Sequence, residues 1–323
     1  MRARHHPTPT SRKTDAPRLG RVVAAHGRHY LVEDPATGQR TRCHPRGKRS
    51  DVVVGDWVQW APSADEGIIE AVQVRRNLLY RQDEWRSKMF AANIDQVLVL
   101  LAADPEFAEG QLARALIAAE DAGIPALVAL NKRDVQPAFD RGWARLAPYR
   151  RMGYEVLPLS LLATEVDAHE RRLREWMDGR ATLVLGPSGA GKSTLVNRLA
   201  PHARAETGEI SRALNTGRHT TTTTTWYWID EARQTALIDS PGFQEFGLAH
   251  IDPMQLARRM PDLRSVLEQG ACRFHNCTHR QEPGCVVRAA VADEAHRDAP
   301  ITTARYRFYV ELFDELGAQR QRY

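Results

Sequence analysis

Gly186-Pro187-Ser188-Gly189-Ala190-Gly191-Lys192-Ser193 has the spacing of a phosphate-binding P-loop. Glycines let successive backbone N–H groups turn inward on phosphate oxygens, and the positive end of a following helix adds to the field. Lys192 is expected at the β- and γ-phosphates and the Ser193 hydroxyl on Mg²⁺, with Thr194 closing the run of phosphate contacts. A second constellation, Cys272-x4-Cys277-x-His279-x5-Cys285, offers three thiolates and an imidazole, a tetrahedral set suited to structural zinc. Four protein ligands leave such an ion no open position for catalysis. His275, inside the run, is an alternative ligand.

The base of the nucleotide is read elsewhere. Asn131-Lys132-Arg133-Asp134 follows the apolar run 124–130. The Asp134 carboxylate can accept from both the ring N–H and the exocyclic amine of guanine, whereas adenine presents the opposite donor pattern. Asn131 can meet the other edge of the base and the Lys132 stem its face. Ser160-Leu161 sits where GTPases place a short motif whose backbone contacts the guanine oxygen. Asp239-Ser240-Pro241-Gly242 follows the apolar run 235–238, so Asp239 is expected to reach Mg²⁺ and the Gly242 N–H the γ-phosphate. In the threonine-rich run 217–225, Thr220 or Thr221 should close over Mg²⁺ and leave with the γ-phosphate. The sequence does not choose between them, and the latter half of the run reads as a β-strand.

These motifs need a parallel sheet whose strands end at one edge. Apolar runs at 97–101, 124–130, 154–159, 181–185 and 235–238 alternate with helical spacing at 109–122, 139–152, 166–178 and 194–199, which predicts that α/β architecture. The base-reading motifs precede the P-loop, the reverse of the usual GTPase order. A domain whose old termini are joined and whose chain is reopened elsewhere has this order, a change that α/β domains tolerate.

Residues 19–79 carry short strand patterns at 21–25, 30–33, 51–54, 57–60 and 68–72 with turn signals between them, which predicts an all-β barrel of OB type. Arg40, Arg42, Arg46, Lys48 and Arg49 cluster between these strands near His44, Trp57 and Trp60. They read either as an RNA surface or as a solvated loop beside core tryptophans. Cys43 reads as a packing residue. Residues 1–18 form a basic tail expected to be disordered, either gripping nucleic acid or aiding solubility. The expected division continues with a polar linker at 80–93, the permuted α/β domain at 94–248 and a mainly helical metal-binding unit at 249–323. Helices are expected at 253–260, 263–269 and 302–316. Arg273, Arg280, Arg288, Arg297, Arg305 and Arg307 make that last unit a second candidate RNA surface.

The 323 residues carry a formal charge of +5, which favours an anionic partner, and no apolar run approaches a membrane span. The N-terminus lacks the apolar region of a secretory signal. A cytoplasmic setting follows, in which clustered cysteines favour metal over disulfide. Nothing in the pattern suggests a coiled coil, so a monomer is expected.

The permuted order, the preceding barrel and the trailing Cys3His set together resemble the RsgA (YjeQ/YloQ) family of circularly permuted bacterial GTPases. The likeness runs from about Gly20 to the end, and Gly217-Arg218-His219-Thr220-Thr221-Thr222 and Asp239-Ser240-Pro241-Gly242-Phe243 look like that family's switch motifs. The departures are a long threonine run after His219 and an extended arginine-rich tail. The resemblance implies an OB-fold, a GTPase and a zinc domain, and binding to the 30S ribosomal subunit and its 16S rRNA in late maturation. It also implies hydrolysis of GTP to GDP that is slow alone and stimulated by the subunit. Phe243 stands where many GTPases place a glutamine that orients the attacking water. A phenyl ring makes no such bond, so His219 is a candidate for that role; the alternative is that it contacts RNA or packs the switch. Two other readings remain at this point, a regulatory G protein with a protein effector and an RNA-binding factor with a vestigial GTPase.

Overall fold

The computed structural model describes residues 17–47, 51–63, 66–83, 87–203, 224–242, 246–292 and 300–320. His219, Thr220, Thr221, Phe243, Lys48, Arg49, Arg297 and nearly all of the basic tail lie outside them. Strands β1 (Arg18–His26), β2 (His29–Glu33), β3 (Arg40–Pro45), β4 (Trp57–Pro62) and β5 (Gly67–Val72) pair in the order β1-β2-β3-β5-β4, and β4 returns to β1. With β3 and β5 parallel, this is the closed five-stranded Greek-key barrel of an OB-type fold.

Two local expectations about the barrel are corrected. The run 51–54 is not a strand. Its valines Val52, Val53 and Val54 are buried, but they lie in a turn that the Asp56 carboxylate holds by accepting from Val53 N at 2.9 Å and from Arg75 at 2.7 and 2.8 Å. Burial without a ladder partner looks like a strand in sequence. The missing strand is β3, which the arginine cluster had suggested was a loop. Arg40 and Arg42 alternate along it with inward Cys43 and bond to Glu33 at 2.9 Å and Glu66 at 3.0 Å. Arg46 just beyond pairs with Glu70. Trp60 is core, 3% exposed.

The third correction concerns 80–93, read as a linker. It forms most of a hairpin, β6 (Leu78–Gln82) against β7 (Ser87–Ala92). Its polar outer positions hid two inward ones, Leu79 and Phe90, both 2% exposed or less. One end packs on the barrel turn, where Ala92 N donates to Val54 O at 2.9 Å and Gly55 (φ 91°) would drive a Cβ to within 2.0 Å of Ala92 O.

Strands β8 (Gln96–Ala102), β9 (Ala126–Asn131), β10 (Glu155–Pro158), β11 (Ala181–Leu185), β12 (Thr225–Trp228) and β13 (Ala236–Asp239) form the second part of the same sheet. Their order is β10-β9-β8-β11-β13-β12, all parallel except the edge strand β12. All seven residues of β8 and all five of β11 are buried, as strands covered by helices on both faces must be. Helices Glu109–Asp121, Ala138–Arg145, Ala147–Arg151, Ala168–Met177 and Lys192–Leu199 connect them. The single helix expected at 139–152 is two, broken at Leu146, with a proline at the start of the second. The sheet then continues into the barrel through Ala24 and Thr225, which pair β1 with β12. Arg21 fills that seam, its guanidinium 4.4 Å from the ring centroids of both Trp57 and Trp226.

The C-terminal unit is a helical cap. It comprises helix Pro253–Leu256, which runs into the 3-10 turn Ala257–Arg259, then helices Pro261–Gln269 and Val286–Ala289 and the long helix Thr303–Arg320. Strands β14 (Val291–Ala292) and β15 (Ile301–Thr302) pair beneath the long helix. Helix Glu109–Asp121 holds the cap through Arg264–Glu120 at 2.7 Å, Arg259–Asp121 at 2.9 Å and Arg114–Glu315. Inside the cap, Arg305 meets Asp262 through two bonds at 2.8 and 3.3 Å, with 9% and 4% of the residues exposed. Removing one partner strands the other charge away from water. Asp262→Ala is therefore expected to lower denaturant stability by about 3–5 kcal/mol. The double change Asp262→Leu with Arg305→Met should recover most of the loss.

Candidate nucleotide site and metal centre

Five parallel strands deliver their C-terminal ends to one edge, and a cleft of about 510 Å³ opens there. Its walls include Asn131, Lys132, Asp134, Leu161, Ser188, Gly189, Gly191, Lys192, Ser193, Thr194, Asp239 and Gly242. Four motifs far apart in sequence thus share one cavity. Of the expected contacts, Gly186, Pro187, Ala190, Arg133 and Ser160 stand behind this lining. Arg133 points away, to Asp167 at 2.8 Å.

The loop after β11 turns as its glycines allow. Gly189 (φ 81°) and Gly191 (φ 102°) adopt left-handed backbone, and helix Lys192–Leu199 starts directly from Gly191. Gly186 approaches the neighbouring strand so closely that a Cβ would lie 2.2 Å from Leu100 O. The Lys192 ammonium donates to Gly186 O at 2.8 Å and Pro187 O at 2.9 Å, so it curls back over its own loop. Burial lowers its pKa, an effect that Asp239 opposes. A Cβ on Gly242 would stand 3.1 Å from Lys192 Nζ and 3.3 Å from Ser188 N, which puts the Asp-x-x-Gly segment directly over the P-loop.

Asp239 is 6% exposed, and its Oδ1 has no hydrogen-bond partner. Burial pushes its carboxyl up to about 6, against the pull of Lys192 and the Ser240 N–H. A buried carboxylate oxygen left without a donor, in a cleft it shares with the Ser193 hydroxyl, is a donor set that suits a hard divalent cation.

At the other end of the cleft, Ser160 Oγ donates to Asp134 Oδ1 at 2.7 Å, and that bond lowers the Asp134 pKa, keeping it ionised and aimed. Lys132 takes left-handed backbone (φ 65°) and bonds to Asp104 O, which lays its stem along the cleft. Asn131, expected at the base edge, makes two bonds within the protein. Its Nδ2 donates to Ala190 O at 3.0 Å, and its Oδ1 accepts from Leu161 N at 3.1 Å. Both ends of the amide are engaged within the protein, bracing the P-loop against the Ser160-Leu161 loop. Leu162, 80% exposed, lines the cleft near Lys132 and was not singled out from the sequence. An exposed leucine one residue beyond a motif carries no signal of its own.

Cys272, Cys277, His279 and Cys285 bring their ligand atoms within 4.8 Å of one another. Cys272 Sγ and Cys285 Sγ are 3.9 Å apart, and His279 Nδ1 lies 3.5 and 3.4 Å from them. Tetrahedral zinc would require separations of about 3.8 Å for sulfur pairs and about 3.6 Å for sulfur–nitrogen pairs. The residues present fit. Burial and then the neighbouring sulfurs push the Cys277 thiol up to about 12, so three thiolates need a cation between them. His275 stays exposed and outside the cluster. The long C-terminal helix supports the ligand loop: Tyr309 donates to Thr278 O at 2.9 Å and Tyr306 to His279 O at 2.8 Å, holding His279 in left-handed backbone (φ 59°).

The Asn131 brace is testable. Asn131→Ala leaves Leu161 N and Ala190 O without partners, each costing about 1–3 kcal/mol if it stays buried. Binding of a fluorescent guanine nucleotide should weaken by about 10- to 100-fold, with the melting of the metal-binding unit unchanged. Unchanged nucleotide affinity would mean that the two loops hold their positions without it.

Comparison with known proteins agrees with this architecture. A family profile described as RsgA GTPase matches residues 72–249. The chain is 62% identical over 301 residues to the small ribosomal subunit biogenesis GTPase RsgA of Variovorax paradoxus (strain S110), covering 93% of each chain. It is 50% identical over 297 residues to the protein of the same description from Burkholderia pseudomallei (strain K96243), covering 92% of this chain and 91% of that one. Among solved structures, YjeQ from Thermotoga maritima superposes with a TM-score of 0.67 at 28% identity, over 93% of this chain and 98% of its own. YloQ, described as a circularly permuted GTPase, gives 0.64 at 25% identity, over 98% and 99%. A barrel, a permuted GTPase sheet and a helical cap with a Cys/His cluster, matched over nearly the full length at this identity, place the chain in the RsgA GTPase family.

Proposed function

We propose that this GTPase acts in maturation of the small ribosomal subunit in the cytoplasm, holding the subunit or its 16S rRNA while GTP is bound and releasing it after hydrolysis to GDP and phosphate. The observation that carries the reading is the single cleft in which the P-loop, Asp134 and Asp239 converge, in a chain so similar to proteins described as small ribosomal subunit biogenesis GTPases.

In this reading Asp134, kept ionised by Ser160, selects guanine. Lys132 covers the base, and the backbone of Ser160-Leu161, braced by Asn131 Oδ1 on Leu161 N, meets the guanine oxygen. The P-loop amides from Gly186 to Thr194 cradle the phosphates. Lys192 exchanges its two loop carbonyls for phosphate oxygens, a trade of neutral acceptors for charged ones. Ser193, Asp239 and either Thr220 or Thr221 would hold Mg²⁺, which when bound offsets charge that develops on the phosphates. The Gly242 N–H faces the γ-phosphate. Catalysis by these groups is positioning and charge stabilisation. The water needs a further group, and His219 is our candidate for positioning it. The Cys272, Cys277, His279 and Cys285 site takes zinc and serves structure alone.

GTP turnover by the purified protein with and without purified 30S subunits, with ATP as control, tests the reading. Strong stimulation with ATP inert is expected, and His219→Ala should lose the stimulation while keeping the basal rate. Equal turnover without subunits would remove the ribosomal partner.

Asp239→Asn separates activity from stability. In the ligand-free fold the carboxyl is raised from its ordinary 3.8 to about 6. Across that window the folded chain keeps a proton that the unfolded chain has released, so stability falls as pH rises and levels off above it. The variant should therefore be more stable than the parent above pH ~6, by about 1–3 kcal/mol, with the advantage vanishing near pH ~4. Its turnover should drop at least about 100-fold.

A further inference from the structure

The arginines that made the C-terminal unit a candidate RNA surface are not equivalent. Arg305 is buried on Asp262, and Arg280 is tied to Asp314 with its guanidinium over Phe313. Neither is available to a partner. Arg273 and Arg288 are exposed, and neither has a carboxylate partner among the described residues; Arg288 bonds to neutral oxygens, Glu282 O at 3.3 Å and the Tyr306 hydroxyl. Glu282, which lies between them in the chain, is turned into the ligand loop, where its carboxylate accepts from the backbone of Thr278 at 2.8 Å and of Arg280 and Gln281 at 3.2 Å. Two exposed guanidiniums thus flank the metal ligands, while the Glu282 carboxylate, still charged, has its oxygens engaged within the loop.

Between Cys272 and Cys277 this surface also carries an aromatic ring. Phe274 is 40% exposed and takes no part in the hydrophobic core, and the Arg273 guanidinium sits 5.6 Å from its centroid. His275 and Asn276 beside it are exposed too. The loop is fixed at both ends by metal-ligating cysteines, internally by Cys277 N on Phe274 O at 3.2 Å, and laterally by Arg273 N on Gly284 O at 3.1 Å. A ring held this firmly loses little freedom when something stacks on it. An aromatic face, a guanidinium beside it, short polar side chains and a second exposed guanidinium are the elements with which proteins take unpaired nucleotides, by stacking the base and pairing its phosphates.

We propose that the loop 272–277 is a docking site for an unpaired RNA nucleotide, its base on the Phe274 ring and its phosphates on Arg273 and Arg288. The proposal rests on the ribosomal reading above and adds the place and the kind of contact. Duplex RNA, whose bases are stacked internally, offers this ring nothing to hold.

The test uses the full-length, metal-loaded protein with three probes: an unstructured oligoadenylate, an RNA duplex of the same length, and intact 30S subunits. Phe274→Ala should weaken oligoadenylate binding about tenfold and leave duplex binding, metal content and GTP turnover without RNA as in the parent. Phe274→Leu keeps the bulk without the π-face and should lose as much, whereas Phe274→Tyr should bind like the parent. If Phe274→Ala sheds metal, Phe274→Leu decides. Parent-like oligoadenylate binding by Phe274→Leu, or an equal loss on duplex, overturns the proposal. So does a loss confined to 30S subunits, which would put a ribosomal protein at the loop. Failure of the parent itself to bind 30S subunits would instead remove the reading on which the proposal stands.

Discussion

The side-chain amide of Asn131 makes the nucleotide cleft one object. It is 4% exposed, and its two polar ends join Ala190 of the P-loop to Leu161 of the loop after β10. Those two loops line opposite ends of the cleft, and no strand of the sheet connects them directly. The brace requires Gly191 as its neighbour, because a Cβ there would stand 2.4 Å from Asn131 Nδ2. The glycine of the phosphate loop and the asparagine of the base-reading motif therefore specify each other. Two hydrogen bonds made inside the protein also satisfy polar groups at the wall of the cleft. Lys192 does the same when it satisfies its ammonium on Gly186 and Pro187.

Chain order is free to vary because this geometry is a property of the sheet. The P-loop strand β11 lies between β8 and β13, and β8 leads on to β9 and β10. That arrangement brings Asp239, the P-loop and Asp134 to one edge whichever motif comes first in the chain. The sequence made this legible: β11 falls on the apolar run 181–185, and each of the five apolar runs read as a strand of the α/β part is present within two residues. Parallel strands buried on both faces are continuous apolar runs, the plainest strand signal there is.

What stayed illegible was set by partners distant in sequence. The run 51–54 has strand composition but no ladder, because Asp56 and Arg75 hold it as a turn. β3 has the composition of a basic loop, yet Glu33 and Glu66 neutralise its outer arginines. The hairpin of β6 and β7 carries its apolar residues in two short clusters, 78–80 and 89–92, on either side of a polar stretch, and the partner that covers them is distant in sequence, Phe90 stacking on Phe246 with ring centroids 5.6 Å apart. In the cleft, residue types were readable and their engagements were not. Asn131 could be named from its motif, but its two bonds lead to residues 59 and 30 positions away.

The hairpin has a mechanical consequence. Gln82 N donates to Gly247 O at 3.0 Å, and Ala249 N donates to Gln82 O at 2.9 Å, which bridges the hairpin to the chain leaving the Asp-x-x-Gly segment. Gly247 sits so close that a Cβ would meet Asp83 Oδ1 at 2.0 Å and Gln82 O at 2.5 Å. Tyr80 lies against His250, ring centroids 4.3 Å apart. Upstream, Gly242 rests against Lys192 and Ser188. Only residues 243–245 separate a glycine that rests on the P-loop from a phenylalanine packed on the hairpin, and so few residues span at most about 14 Å from Gly242 to Phe246. A shift of Gly242 when the γ-phosphate departs must be absorbed by those three residues or passed to the hairpin. The hairpin packs on the barrel turn at Gly55 and the barrel is joined to β12 through Arg21, so a shift that is passed on reaches the barrel by one side and the strand after the threonine run by the other. Reopening the chain beyond Asp-x-x-Gly thus leaves the most phosphate-sensitive segment on a short tether to the parts that lie outside the GTPase sheet.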